Sequence, residues 1–222
     1  MKVKLIGYTQ PVEGFIGLDN VQDLIAYCAR VSNPSNQLNQ ETAPKLLNYL
    51  AKHKHWSPFE MASATMEIET TRDIARQMLR HRSFAFQEFS QRYADVRDMD
   101  DSIVIRKARL QDTKNRQNSV ITDDVGLHTT WEVHQRAVWQ RAMEAYNWAI
   151  NNGIAKEQAR AVLPEGNTPS RLYMQGSIRS WIHFIELRSG NGTQREHLEV
   201  AQACAEAISK IFPLVDEYVT KE

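Results

Sequence analysis

Residues 62–93 read ASATMEIETTRDIARQMLRHRSFAFQEFSQRY, and two periodicities meet inside them. Ala62, Ala64, Met66 and Ile68 alternate with more polar neighbours up to Glu69, the pattern of a half-buried strand. From Thr71 to Arg82 the spacing turns helical. Ile74, Ala75, Met78 and Leu79 fall on one side, and Arg72, Arg76 and Arg80 form a narrow ridge opposite them, bordered by Gln77. Three guanidiniums on one ridge repel unless they are solvated or paired with anions. The chain then runs through Arg80-His81-Arg82-Ser83 into Phe84-Ala85-Phe86-Gln87-Glu88-Phe89-Ser90-Gln91-Arg92-Tyr93. Cations, hydroxyls, an amide, a carboxylate and aromatic faces in one stretch suit a planar anionic ligand, a nucleotide or a flavin. The same residues also fit an amphipathic strand with Phe84, Phe86 and Tyr93 in the core.

Working outward, Val3–Thr9 reads as a first strand and Val21–Val31 as a helix with Leu24, Ile25, Cys28 and Val31 on its apolar side. Asn33-Pro34-Ser35-Asn36 breaks it, and Thr42 opens a second helix through Leu46, Leu47 and Leu50. His53–Glu60 is a loop stopped by Pro58, and the polar run Asp112–Ser119 is another. Asp123 or Asp124 caps a long helix that ends at Asn151-Asn152-Gly153. Lys156–Val162 is a short helix ended by Pro164, Arg171–Gln175 a strand, and Ser180–Arg188 and Glu196–Phe212 are helices. A few strands mixed with more helix, without regular βαβ alternation, indicate an α+β fold with a sheet core and flanking helices. No linker divides the chain, so residues 1–222 are expected to form a single domain.

Composition narrows the function. The 222 residues carry 27 Lys+Arg against 27 Asp+Glu, a balance that argues against a protein that coats nucleic acid while leaving room for a local basic pocket. No apolar run approaches the roughly 18–20 residues that span a bilayer, and the start is too short in its apolar part for a signal peptide. Cys28 and Cys204 lie far apart and form no CxxC, which excludes a disulfide scaffold and a cysteine-rich zinc site. A reduced, cytoplasmic protein is expected. His53 and His55 have no carboxylate or cysteine at matching spacing, so no metal site is expected. There is no G-x-G-x-x-G and no Walker loop. A second polar cluster, Arg160, Arg179, His183, Arg188 and Gln194, lies far along the chain, with Arg179, His183 and Glu186 on one helical face.

Arg80-His81-Arg82, seven residues and then Ser90 is an R-H-R-x7-S pattern, and here the chain resembles the flavin-dependent thymidylate synthases. Arg92-Tyr93 extends the match. So do His55-x-Ser57-Pro58-Phe59-Glu60, Ala159-Arg160-x-Val162-Leu163-Pro164, Arg179-Ser180, Leu187-Arg188 and Gln194-x-Glu196, in family order along most of the chain. The resemblance implies an α+β enzyme that makes dTMP by methylating dUMP at C5 of the uracil. It implies methylenetetrahydrofolate as carbon donor, NADPH as the source of reducing equivalents and FAD as their carrier. It also implies a homotetramer whose sites gather residues from several subunits; the charge balance and the lack of an apolar span lead to the expectation of no nucleic-acid or membrane partner.

Carried over residue by residue, the resemblance implies a dUMP site of Gln77, Arg80, Glu88, Ser90, Gln91, Arg92, Arg160 and Arg188. Arg92 and Arg160, with Ser90–Gln91, would hold phosphate or sugar, and Arg188 would face the uracil. The implied FAD site is His55, Ser57, Glu60, Arg80, His81, Arg82, Ser83, Glu88, Ser177, Arg179 and His183, with Arg188–Gly192 close by. The chain departs from the common pattern at Gln87, where many members have Asn, at Gln91, a frequent Gly, at Ser177, near a frequent Asn, and at Gly192, where some have His. Arg188 and Ser90 are the catalytic candidates. No His or Lys base adjoins Ser90 in the motif, which favours a positioning role over a nucleophilic one. Unrelated synthases activate C5 by thiolate addition at C6; here a cationic Arg188 would raise electron density at C5 by stabilising negative charge on the ring.

Overall fold

The alternation read at residues 62–69 is carried out by a strand that buries Ala64, Met66 and Ile68. The computed structural model describes residues 1–15, 17–99 and 103–219. Their elements are β1 (Lys2–Tyr8), α1 (Val21–Ala29), α2 (Ala43–Lys52), β2 (Ser63–Thr71), α3 (Arg72–Met78), β3 (Ala85–Glu88), β4 (Arg109–Gln111), β5 (Ser119–Ile121), α4 (Val125–Asn151), α5 (Lys156–Ala159), β6 (Pro169–Ser177), α6 (Ile178–Arg188) and α7 (Arg195–Ser209). Four strands form one sheet in the order β1-β2-β6-β3, and β4 pairs with β5 as a separate antiparallel hairpin, Leu110 opposite Val120. The fold is α+β, a sheet with helices beside it.

Contacts resolve into two units. The first holds the described residues of Met1–Ile68, His81–Phe86 and Tyr173–Glu222, the second those of Glu69–Arg80 and Gln87–Leu172. Strands β2, β3 and β6 each continue along the chain from one unit into the other.

In the first unit α7 packs on β1 and on α6, and α1 on α2. Phe59, Met66, Trp181, Phe184 and Phe212 are buried there. Trp181 keeps its buried donor satisfied by giving Nε1–H to Ala64 O at 3.0 Å. Asn20 caps α1 by accepting from Gln22 N and Asp23 N. Helix α2 closes with His55 N donating to Leu50 O and Lys54 N to Ala51 O, a Schellman ending that holds Lys54 at φ 59°. On β6, Gly176 leaves room for an aromatic ring: a Cβ there would lie 2.5 Å from Phe84 Cδ1. Phe84 in turn meets Trp181 edge-on at 4.8 Å. Gly176→Ala is therefore expected to cost about 1–3 kcal/mol of stability, read as a lower urea midpoint. An unchanged midpoint would mean that Phe84 moves aside without penalty.

The second unit is built on α4, capped by Asp124, whose Oδ1 accepts Leu127 N–H at 2.9 Å. Tyr146 and Ala149 of α4 pack with Val96, Ala159 and Leu163. Gln135, also on α4 and buried, fastens the segment before β4: its Oε1 accepts from Arg106 N and its Nε2 donates to Arg106 O. The Arg106 guanidinium donates to both Asp73 oxygens at 2.7 and 2.9 Å.

Several boundaries differ from the sequence expectation. Helix α3 ends at Met78 instead of Arg82, so Arg80 leaves the arginine ridge and Leu79 is exposed. Arg80-His81-Arg82 contains neither Gly nor Pro to signal a stop; the chain turns because Phe84 packs against Trp181 and Phe184. The β4–β5 hairpin went unread because three-residue strands are too short to show a period. Val31 lies beyond the end of α1 and is exposed, and Tyr93 is 85% exposed instead of in the core.

Candidate active site

The residues expected to hold flavin fall in the first unit, except Arg80 and Glu88. Pro58 starts the 3-10 turn Ser57–Met61, which presents Ser57 and Glu60 at the surface. Arg179, in the first turn of α6, donates Nη1–H to Glu60 Oε1 at 3.0 Å. Ser177 is the N-cap of α6: its Oγ accepts from Ser180 N at 3.2 Å, so its hydroxyl serves the helix start. One turn beyond Arg179, His183 meets the Trp56 ring edge-on at 4.8 Å. Burial, then the Arg179 charge, hold the His183 pKa below its ordinary value against the opposing pull of Glu186 and Glu60. His55 is exposed just after the Lys54 turn, and Arg82 and Ser83 are exposed.

Arg188 ends α6, and its Nε donates to His81 Nε2 at 3.0 Å. The His81 ring stands edge-on to Phe184 at 5.0 Å and to His197 at 6.3 Å. His197, near the start of α7, is fully buried. Its pKa is pushed down to about 3, by burial first and then by the charge of Arg188. The sequence reading missed His197, although Gln194-x-Glu196 directly precedes it.

The residues expected to hold dUMP fall in the second unit, except Arg188. Glu88 on β3 accepts from Ser170 Oγ at 2.7 Å and lies 3.5 Å from Arg72. Arg76 pairs with Glu165 at 2.7 Å, so the two arginines left on the α3 ridge have carboxylate partners. Ser90 heads a turn in which its carbonyl accepts from Tyr93 N and Ala94 N, and its Oγ accepts from Arg92 N at 3.4 Å. Two contacts tie this turn to α5: Arg92 lies 3.4 Å from Glu157, and Lys156 donates to Tyr93 O at 2.9 Å. Arg160 follows in the 3-10 turn Arg160–Val162. The Ser90–Arg92 turn and the segment bearing Arg160 are thus brought together. Gln91 is 3% exposed, and its Nε2 is buried without a hydrogen-bond partner. Gln77 is half-buried at the end of α3, and Arg80 is exposed.

Both cysteines are unbridged thiols, and burial raises both pKa values, that of Cys204 far above the ordinary range. Among the described residues no cluster of three or more His, Cys, Asp or Glu side chains could hold a metal ion, and no helix is long and apolar enough to cross a membrane.

Comparison with known proteins adds to this geometry. Residues 15–214 match the family model described as thymidylate synthase complementing protein. The chain is 53% identical over 215 residues to the probable flavin-dependent thymidylate synthase of Paramecium bursaria Chlorella virus 1, covering 97% of both chains. It is 46% identical over 216 residues to the flavin-dependent thymidylate synthase of Synechocystis sp., again covering 97% of both. Among solved structures it is similar to the UMP/dUMP methylase PolB from Streptomyces cacaoi bound with 5-Br UMP, with TM-score 0.80 and 27% identity over 98% of this chain and 92% of that one. The same methylase bound with 5-Br dUMP matches with TM-score 0.77 and 26% identity, over 98% and 93%.

Proposed function

We propose that this chain, which belongs to the flavin-dependent thymidylate synthase family, makes dTMP by methylating dUMP at C5. In this reading methylenetetrahydrofolate supplies the carbon and NADPH the reducing equivalents. FAD, when bound, supplies the hydride transfer that no protein side chain can perform. The observation that carries the reading is the bond between His81 and Arg188. It joins the R-H-R motif to an arginine 107 residues away at 3.0 Å.

The residues present fit both ligands. Arg82, Arg179, Ser57 and Ser83 are the kind of donors a dinucleotide diphosphate needs. Arg92 and Arg160 bind the dUMP phosphate or sugar beside the Ser90 turn, and the orphaned Gln91 Nε2 is a donor that a nucleotide oxygen can satisfy. Gln77, Arg80 and Glu88 complete the nucleotide site, with Arg80 and Glu88 shared with flavin. His55, Glu60, His81, Ser177 and His183 line the flavin site. Arg188 places its positive charge against the uracil, favours ionisation at N3 and raises electron density at C5. Ser90 orients the substrate.

No thiolate takes part, because Cys204 is fully buried and both thiols are driven toward the protonated form. The double variant Cys28→Ala, Cys204→Ala should keep dUMP methylation, measured as dTMP formed; complete loss in a folded double variant would overturn the cysteine-independent route. Residues 1–222 act as one catalytic domain in the cytoplasm, with no part for nucleic acid or membrane. The unit of function is a homotetramer, for which the exposed Trp131, Val138 and Trp148 of α4 offer apolar packing surface.

The test is NADPH oxidation by purified protein with FAD, with and without dUMP. Oxidation that requires both is expected, with dTMP appearing when the folate is added. Oxidation that needs FAD but ignores dUMP would point to a different acceptor. Folded protein that neither binds FAD nor oxidises NADPH would refute the reading.

A further inference from the structure

We propose that His81 is the positioning residue for Arg188: the lone pair on His81 Nε2 holds the arginine Nε–H and so fixes the plane of the guanidinium before a uracil arrives. The proposal rests on the reading that Arg188 faces the uracil of dUMP. It assigns His81 a role that acts through another side chain, in addition to its place in the flavin site.

The geometry supports it at both ends of the bond. Arg188 Nε donates to His81 Nε2 at 3.0 Å, which requires that nitrogen to be unprotonated. A guanidinium is planar, so tying down Nε sets the direction of all its remaining N–H groups. The imidazole is itself held. Phe184 meets it edge-on at 5.0 Å and 81°, Phe84 at 6.5 Å and 85°, and His197 at 6.3 Å and 89°. These rings come from α6, from the residue before β3 and from α7, so the imidazole cannot swing without leaving three neighbours at once. His197 is fully buried and stays neutral over ordinary pH, which leaves no second cation behind His81 on that side. A long arginine that is already oriented loses less freedom when its ligand binds.

A double-variant cycle on the FAD-loaded protein tests the proposal. His81→Leu removes the acceptor. His81→Gln keeps one, because its amide oxygen reaches about where Nε2 stood. Each is made alone, and His81→Leu is also combined with Arg188→Ala. Flavin content is read by absorbance, dUMP affinity by calorimetry, and kcat by dTMP formed. Expected for His81→Leu is a loss of about tenfold in dUMP affinity or in kcat per bound flavin. His81→Gln should recover most of that loss, and His81→Leu should add nothing in the Arg188→Ala background.

Equal losses per bound flavin in His81→Leu and His81→Gln would overturn the proposal. So would full additivity with Arg188→Ala. Arg188→Ala with unchanged dUMP affinity and turnover would overturn the assignment of Arg188 itself, and the proposal with it. Should thermal melting show that His81→Leu does not fold, His81→Asn against His81→Gln carries the same comparison. The shorter amide imitates Nδ1 and leaves the Nε2 position empty.

Discussion

Arg188→Ala is expected to lower the rate of dTMP formation by about 10²–10³, the usual loss when one group that stabilises developing negative charge is removed. The effect on folding should be small. Arg188 is the last residue of α6, where a cation contributes about 0.3–1 kcal/mol through the helix dipole. The helix itself is held by Ile178, Trp181, Ile182, Phe184 and Ile185, all buried and untouched by the change. A loss confined to the transition state lowers kcat and kcat/KM together. Arg188→Lys keeps the charge without the planar fork and should recover only part of the rate. Steady-state kinetics beside urea unfolding separate the two effects. Near-wild-type turnover in Arg188→Ala would end the assignment.

Acidification should unfold the protein through His197. Its pKa is about 3 in the folded protein against 6.5 for an ordinary histidine. Between those values the unfolded chain binds a proton that the native site refuses. The stability contribution is therefore complete above pH 6.5 and is lost as pH falls toward 3. The slope is about 1.4 kcal/mol per pH unit, and the whole loss is on the order of 5 kcal/mol. Other groups contribute a background of the same sign. Asp95 is held low chiefly by its hydrogen bond from Arg97, and His183 is held low by burial. The test is a difference of slopes: His197→Gln should lose less stability than the wild-type protein between about pH 6.5 and 4.5 by the amount assigned to His197. Parallel slopes in urea titrations of the two proteins would show that His197 is not the group responsible.

Short-range pattern carried much of the fold. The alternation at Ala64, Met66 and Ile68, the cap at Asp123 or Asp124 and the stop at Gly153 are features of neighbouring residues; β2 and α4 followed from them, with Asp124 the actual cap. The R-H-R-x7-S spacing with its ordered companions was equally legible, because a motif read along the chain does not depend on how the chain folds. Other outcomes rested on partners distant in sequence. Whether the arginines of α3 faced solvent, ligand or carboxylate was undecidable from Arg72 and Arg76 alone; Glu165 pairs with both. The premature end of α3 came from Phe84 docking on Trp181, an attraction invisible in a window of helical residues. Nothing in the sequence singled out His197, which burial holds neutral behind His81. Arg179 and Glu60, 119 residues apart, and Arg188 and His81 could each be named as candidates beforehand. Their meeting required α6 to run from a serine cap at Ser177 to Arg188, with Trp181 and Phe184 seated on its buried side, because only packing brings distant segments to within a hydrogen bond.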